Sequence, residues 1–250
     1  MCESIKTVIK SSTRIYNEPK DTSKIETEAL FGENIKILGI EKNWVNATLL
    51  SDNYNGWIKS VDLGQSLEST HQVSEIRSHI YESPSSKSLS ILPLSLGSKI
   101  KALNDDGAWT EIDMESSQFK NGFIPSNHLK INNEKKIDWI TTAQLFIGTP
   151  YLWGGRSSFG IDCSALIQLS LTLSGITFPR NSSAQFNTLS NKIIKDSNYK
   201  RGDFIYWKGH IGIILNNEEV LHSNAHHMSV KIEPLDNVYS RIGKGTFIRL

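Results

Sequence analysis

The chain has 250 residues, 38% hydrophobic and 21% charged, an ordinary globular composition with enough apolar material for a sizeable core. Its 27 basic residues nearly balance its 26 acidic ones, so charge gives no reason to expect nucleic acid or an acidic membrane surface as a partner. No apolar run approaches the roughly 20 residues of a membrane helix, and two cysteines, Cys2 and Cys163, make no disulfide framework.

The first residues, Met1-Cys2-Glu3-Ser4-Ile5-Lys6-Thr7, lack the apolar centre of a secretory signal. The expected compartment is the reducing cytoplasm. A mature form separated from its signal would read the same way and would be periplasmic or secreted.

The first half repeats itself at an offset of 65 residues. Tyr16 answers to Tyr81, Pro19 to Pro84, Gly32 to Gly97, Ile35 to Ile100, Leu38 to Leu103 and Trp44 to Trp109. After one inserted residue, Gly56-Trp57-Ile58 answers to Gly122-Phe123-Ile124, and Leu63 to Leu129. Repetition at a fixed offset decides the architecture of this half. Runs such as Ile35–Leu38 and Trp44–Thr48 predict short strands, punctuated by the turn residues Asn53, Asn55 and Gly56. Each unit reads as a small β-barrel. The copies differ at two places: Glu33 follows Gly32 where the second copy has Ser98, and Tyr54 stands where it has Lys120. Both differences also fit drift on a solvated loop.

Asn132 to Lys136 form a polar connector. Beyond it, Asp138 to Gly148 predicts a short amphipathic helix with Ile140, Ala143, Leu145, Phe146 and Ile147 on its apolar side, ended by Pro150. Asp162 predicts an N-cap with Cys163 as the first helical residue. Ala165, Leu166, Leu169, Leu171 and Leu173 make the following helix a buried one, and Gly175 is its natural end. A helix start favours a thiolate, because its unpaired N–H groups carry partial positive charge. The competing reading of Cys163 is a small buried hydrophobe.

A nucleophilic cysteine needs a base. His210 opens the apolar run His210-Ile211-Gly212-Ile213-Ile214, Asn216-Asn217 reads as a turn, and Glu219 to His222 as the return strand. A hairpin centred on Asn216 sets His210 opposite His222, which would then orient the first imidazole. A slip of one residue in pairing would put His222 on the other face. His222, His226 and His227 also read as a metal cluster, but no acid or second cysteine accompanies them at zinc spacing, so neither metal nor cofactor is expected. Asp203 reads as structural.

Together, Tyr151 to Gln168, Pro179-Arg180, Gly202-Asp203, Gly209 to Gly212 and His222 resemble the NlpC-type cell-wall cysteine peptidases over residues 135 to 250. The half that precedes them resembles bacterial SH3-like domains. The resemblance implies an α+β, papain-like catalytic domain over residues 132–250, preceded by SH3-like barrels over 1–66 and 72–131. It implies that Cys163 is the nucleophile, His210 the base, His222 the third polar residue, and Tyr151 part of the oxyanion region. The combined arrangement looks like the γ-D-glutamyl-L-diamino-acid endopeptidases of murein peptide recycling, whose first SH3-like domain selects peptides with a free N-terminal L-Ala. On that resemblance Glu33 and Tyr54 match the selecting acid and tyrosine, and Trp153, Asp162, Ser164, Arg180, Asn181 and Ser182 line the substrate cleft. Two residues depart from the family pattern: Ala165 replaces a common glycine, and Asn181 replaces an aspartate, removing a charge from amine selection. The expected partners are murein-derived peptides, L-Ala-γ-D-Glu-diamino acid, and neither nucleic acid nor membrane. Two other readings remain open, a secreted hydrolase acting on intact wall stems and a non-catalytic wall- or peptide-binding module.

Overall fold

The repeat in the sequence is also a repeat of packing. Tyr16 meets Trp44 edge-on with ring centres 5.2 Å apart, and Tyr81 meets Trp109 the same way at 5.4 Å. Such pairs add about 0.5–1.5 kcal/mol beyond the area they bury. Ile15, Ile35 and Ile58 belong to one core, and Ile80, Ile100 and Ile124 to a second. Leu38 and Leu103 also match, but both face solvent, at 54% and 50% exposure.

The computed structural model describes residues 4–114, 119–132, 138–195 and 198–250; Cys2 and the connector residues 133–136 lie outside them. The chain divides into two compact units, Met1–Lys135 and Lys136–Leu250. In the first unit the strand Ser12–Tyr16 recurs as Arg77–Tyr81, and Ile25–Leu30 recurs as Ser90–Ser95. The first copy forms one antiparallel sheet of seven strands; the second divides its strands between sheets of five and three. Even an irregularity recurs: pairing shifts between Ile37 and Gly39, and again between Ala102 and Asn104. A bulge that bends a strand to close a small sheet has been duplicated with the rest.

The two copies are clasped at Gly32. Phe31 inserts into the core of the second copy, and its carbonyl accepts from Lys99 N–H at 2.8 Å. Gly32 has φ +77°, and a Cβ there would sit 1.8 Å from the Lys99 carbonyl oxygen. Both the conformation and the space therefore require glycine. Glu33, the next residue, is only 5% exposed, and its carboxylate accepts from Leu30 N–H at 2.8 Å. Drift on a solvated loop does not describe it. Tyr54 is half-buried against the first core, with its hydroxyl 3.2 Å from Glu26 Oε2. Ser98, the counterpart of Glu33 in the second copy, is fully buried.

Among the described residues, the second unit sets four α-helices around an antiparallel sheet. The sheet runs in the order Ser229–Pro234, Glu219–Asn224, His210–Ile214, Phe204–Trp207, Thr246–Ile248. The helices are α1 (Trp139–Gln144), α2 (Cys163–Leu173), α3 (Ser182–Leu189) and α4 (Leu235–Ile242). α2 packs on the central strands His210–Ile214 and Glu219–Asn224, and nine of its residues are buried. It ends at Leu173, with Ser174 as its C-cap and Gly175 following at φ +78°. No helix among the described residues is long and apolar enough to cross a membrane.

α1 is shorter than the sequence pattern predicts. Asp138 caps it by accepting from Thr141 N–H, but the helix stops at Gln144. Ile140, Ala143 and Phe146 are buried, whereas Leu145 and Ile147 are 45% and 47% exposed. The chain turns here to join the sheet: Gly148 N–H donates to the Val230 carbonyl, and Pro150 bridges Ser229. Gly148, with φ +85°, and this sheet contact end the helical course before Pro150 is reached.

Gly32→Ala is expected to destabilise the first unit by about 3 kcal/mol, because the strained φ and the overlap with Lys99 act together. Denaturant unfolding of the wild type and the variant, followed by tryptophan fluorescence, measures it.

Candidate active site

Cys163 is the first residue of α2, as the cap at Asp162 requires. Asp162 Oδ1 accepts from Ala165 N–H at 2.8 Å and from the Ser164 hydroxyl at 3.0 Å. Its Oδ2 accepts from Gly154 N–H at 3.1 Å. Arg180 closes on both oxygens, Nη1 to Oδ1 at 2.9 Å and Nη2 to Oδ2 at 2.7 Å. This buried, bidentate pair is among the strongest side-chain contacts a protein makes. It fixes the start of α2, and with it the sulfur.

The histidines approach from the sheet. The strands pair Ile213 with Leu221 and Ile214 with Val220. The hairpin is therefore centred on Asn217, not Asn216, and the register sets Gly212, not His210, opposite His222. Moving a hairpin centre by one residue moves each partner by two, so both histidines keep one face. They meet diagonally: His210 Nε2 lies 2.8 Å from His222 Nδ1. Gly212 leaves the room, since a Cβ there would stand 2.5 Å from Val220 Cγ2 and 3.5 Å from His222 Cβ.

A further residue completes the relay. His222 Nε2 lies 2.6 Å from Glu233 Oε1, on the neighbouring strand. Glu233 also accepts from Arg241 Nη2 at 2.6 Å and pairs with His227 at 3.2 Å. Burial works against its charge, but the hydrogen bonds from Arg241, His227 and His222 carry its pKa down to about 2. A carboxylate only accepts, so His222 Nε2 holds a proton. Burial lowers the pKa of His222, which leaves its Nδ1 bare to accept from His210 Nε2–H. Burial, with His222 beside it, takes His210 down to about 3. The nitrogen of His210 left to accept a proton is then Nδ1.

Cys163, Tyr151, His210 and His222 line one cavity of about 1020 Å³. The thiol is not lowered as the helix start alone predicts. Burial and the Asp162 carboxylate push it up to about 12, against the backbone N–H of Ile211 and of Ser164 and the charge of Arg180. Cys163 is only 8% exposed, and the residue that caps its helix brings a negative charge to its side. The resting pair is a neutral thiol and a neutral imidazole. Tyr151 is held up at about 12, chiefly by burial, so its hydroxyl remains a donor. This arrangement supports acyl transfer through sulfur.

Residues 148–243 match the NlpC/P60 family, and residues 15–63 match the bacterial dipeptidyl-peptidase Sh3 domain. The chain carries an NlpC/P60 domain. It is similar to the gamma-D-glutamyl-L-lysine dipeptidyl-peptidase of Bacillus cereus, at 25% identity over 86% of this chain and 72% of the relative. The protein of the same name from Bacillus subtilis is 27% identical over 87% of this chain and 78% of its own length. A crystal structure of an NlpC/P60 family protein from Bacillus cereus shares the fold, with a TM-score of 0.83 at 20% identity, covering 98% of this chain and 99% of that one.

The other residues singled out in the sequence are spread across the NlpC/P60 domain and the first unit. Ser182 lines the cavity with Ser183 and Phe186 of α3. Asp162, Ser164 and Arg180 are buried and bonded to one another. Trp153 is 63% exposed and outside the cavity lining. Asn181 is the exposed N-cap residue of α3, and its side chain makes no capping bond. Glu33 and Tyr54 belong to the first unit. Asp203 is structural: Arg249 grips both its oxygens at 2.9 Å. Glu233 and Arg241 were not singled out. The available signal was an acid in a strand beside apolar Val230 and Ile232, but on an edge strand that reads as solvated.

The NlpC/P60 domain is expected to lose stability in acid. The unfolded chain protonates its histidines near pH 6.5, while folded His210 resists until about pH 3 and folded His222 also lies low. Between these values the unfolded state binds more protons, so stability present above pH 6.5 is lost as pH falls, by up to about 1.4 kcal/mol per pH unit for each histidine. Urea midpoints from pH 7.5 to 5 check this, and His210→Asn should flatten the slope.

Proposed function

We propose that this NlpC/P60 peptidase hydrolyses the amide between γ-D-Glu and the following diamino acid in murein peptides. In this reading it prefers substrates with a free N-terminal L-Ala and serves cell-wall peptide recycling in the cytoplasm. The observation that carries the reading is the joining of Cys163 to the His210–His222 pair in one cavity. The names of the two Bacillus relatives, matched along most of this chain, support the choice of bond. Recognition of the amine is assigned to Glu33 and Tyr54 on the family resemblance.

The chemistry follows from the site. Cys163 Sγ attacks the γ-carbonyl carbon as its proton passes to His210 Nδ1. The backbone N–H of Cys163 and the Tyr151 hydroxyl receive the developing oxyanion. The carbon–nitrogen bond then breaks, and the proton on His210 goes to the departing amine. Water attacks the thioester, again losing a proton to His210, and Cys163 leaves as a thiol. His222 and Glu233 hold the His210 ring in the tautomer that each step needs.

L-Ala-γ-D-Glu-diaminopimelate and its N-acetylated form, followed by mass spectrometry, test the reading. Cleavage between D-Glu and diaminopimelate, faster for the free amine, is expected. Cleavage of neither peptide, or no difference between wild type and Cys163→Ala, would sink the peptidase reading. Equal cleavage of both would remove the free-amine preference alone. Tyr151→Phe is expected to lower kcat by about 10²–10³, the usual consequence of losing one oxyanion donor.

A further inference from the structure

The cavity around Cys163 has a one-sided charge. Its lining holds three cationic side chains, Lys208, Arg241 and Lys244, and no Asp or Glu among the described residues. Arg241 is committed to Glu233. Lys208 and Lys244 have neither an ion pair nor a hydrogen bond to any described residue. They are held on one rim. Trp207 Nε1 donates to the Gly243 carbonyl at 2.8 Å, and each lysine directly follows one partner of that bond. A Cβ at Gly245 would come within 3.0 Å of Trp207 Cε2, so the two segments are closely apposed. The cavity also contains unspent hydrogen-bonding capacity: the Tyr206 hydroxyl and Asn224 Nδ2 are buried and make no hydrogen bond among the described residues. Buried polar atoms without partners are uncommon and need an explanation.

The rim borders His210, the group that must protonate the leaving amine. Only a protonated His210 can hand a proton to the departing amine, so that amine must stand next to the imidazole. Lys208 is two residues before His210, on the turn that enters its strand, and the Trp207 ring stacks on the His210 ring with centres 5.6 Å apart. A group leaving beside His210 therefore departs into the cavity that Trp207, Lys208 and Lys244 also line.

We propose that Lys208 and Lys244 form a carboxylate subsite that holds the terminal carboxylate of the released diamino acid. The proposal rests on the peptidase reading above. Two ammonium groups facing a cavity without acids favour an anion in both the bound and the encounter state. The subsite makes the enzyme prefer peptides that end directly after the diamino acid with an ionised group.

The test compares kcat/KM for L-Ala-γ-D-Glu-L-Lys and for the same tripeptide ending in a carboxamide, at low and raised salt. The carboxylate is expected to be preferred about tenfold, equivalent to about 1.4 kcal/mol, and the preference should shrink with salt. It should fall to within about twofold in the Lys208→Gln, Lys244→Gln double variant, with circular dichroism and thermal midpoint as controls. Lys208→Glu alone, which guards against misfolding of the double variant, should reverse the preference. Equal rates on the two peptides for the wild type, or a preference that survives both variants, overturns the subsite. Cleavage of neither peptide by the wild type overturns the peptidase reading itself.

Discussion

Asp162 receives hydrogen bonds from five donors: the N–H groups of Gly154 and Ala165, the Ser164 hydroxyl and two nitrogens of Arg180. One carboxylate thereby ties the glycine-rich loop, the first turn of α2 and the segment before α3 to a single point. The sulfur of Cys163 inherits its position from that knot. Losing the acid would leave the Arg180 guanidinium buried without its charge partner, which commonly costs several kcal/mol. The same acid opposes the chemistry beside it, because its charge disfavours a thiolate. Position has been secured at the expense of resting ionisation. The imidazole must remove the proton during attack, and not before it.

That demand explains the depth of support behind His210. A base that is neutral at rest must still present its bare nitrogen to the thiol. The sequence of acceptors, from Glu233 through His222 to His210, leaves Nδ1 of the last ring for the thiol. Glu233 can anchor the series because Arg241 and His227 keep it ionised. The sheet supplies the spacing. Three neighbouring strands provide His210, His222 and Glu233, and α4 returns Arg241 to the last of them.

The sequence was readable wherever one residue type implied its partner. Tyr16 with Trp44 and Tyr81 with Trp109 repeat a packing pair, so an offset in letters became an offset in space. Asp162 before an apolar run carries the signature of a cap, and it caps α2. The hairpin turns one residue later than its sequence implies, because Asn216 and Asn217 are equally good turn formers. The face survived because hairpin partners move in steps of two. Glu233 was hidden because an acid on an edge strand has no local mark of burial; its partners arrive from 8 and 11 residues away. The thiol lies opposite to what its helix start implies for a related reason. A helix start is visible in sequence, whereas the burial of Cys163 depends on a sheet assembled from residues far along the chain, above all the strands His210–Ile214 and Glu219–Asn224 on which α2 packs. The end of α1 failed similarly, since Gly148 and the sheet contact at Val230 stop the helix before Pro150 does.

The burial of Cys163 also bears on how the protein survives between substrates. Peroxides and disulfides react with sulfur mainly in its anionic form. A nucleophile stored as a buried thiol is a poor target for both, and mixed disulfides with small thiols form slowly for the same reason. The site is chemically quiet when empty. The burial that delays ionisation of this sulfur is thus also what shields it from oxidants between turnovers.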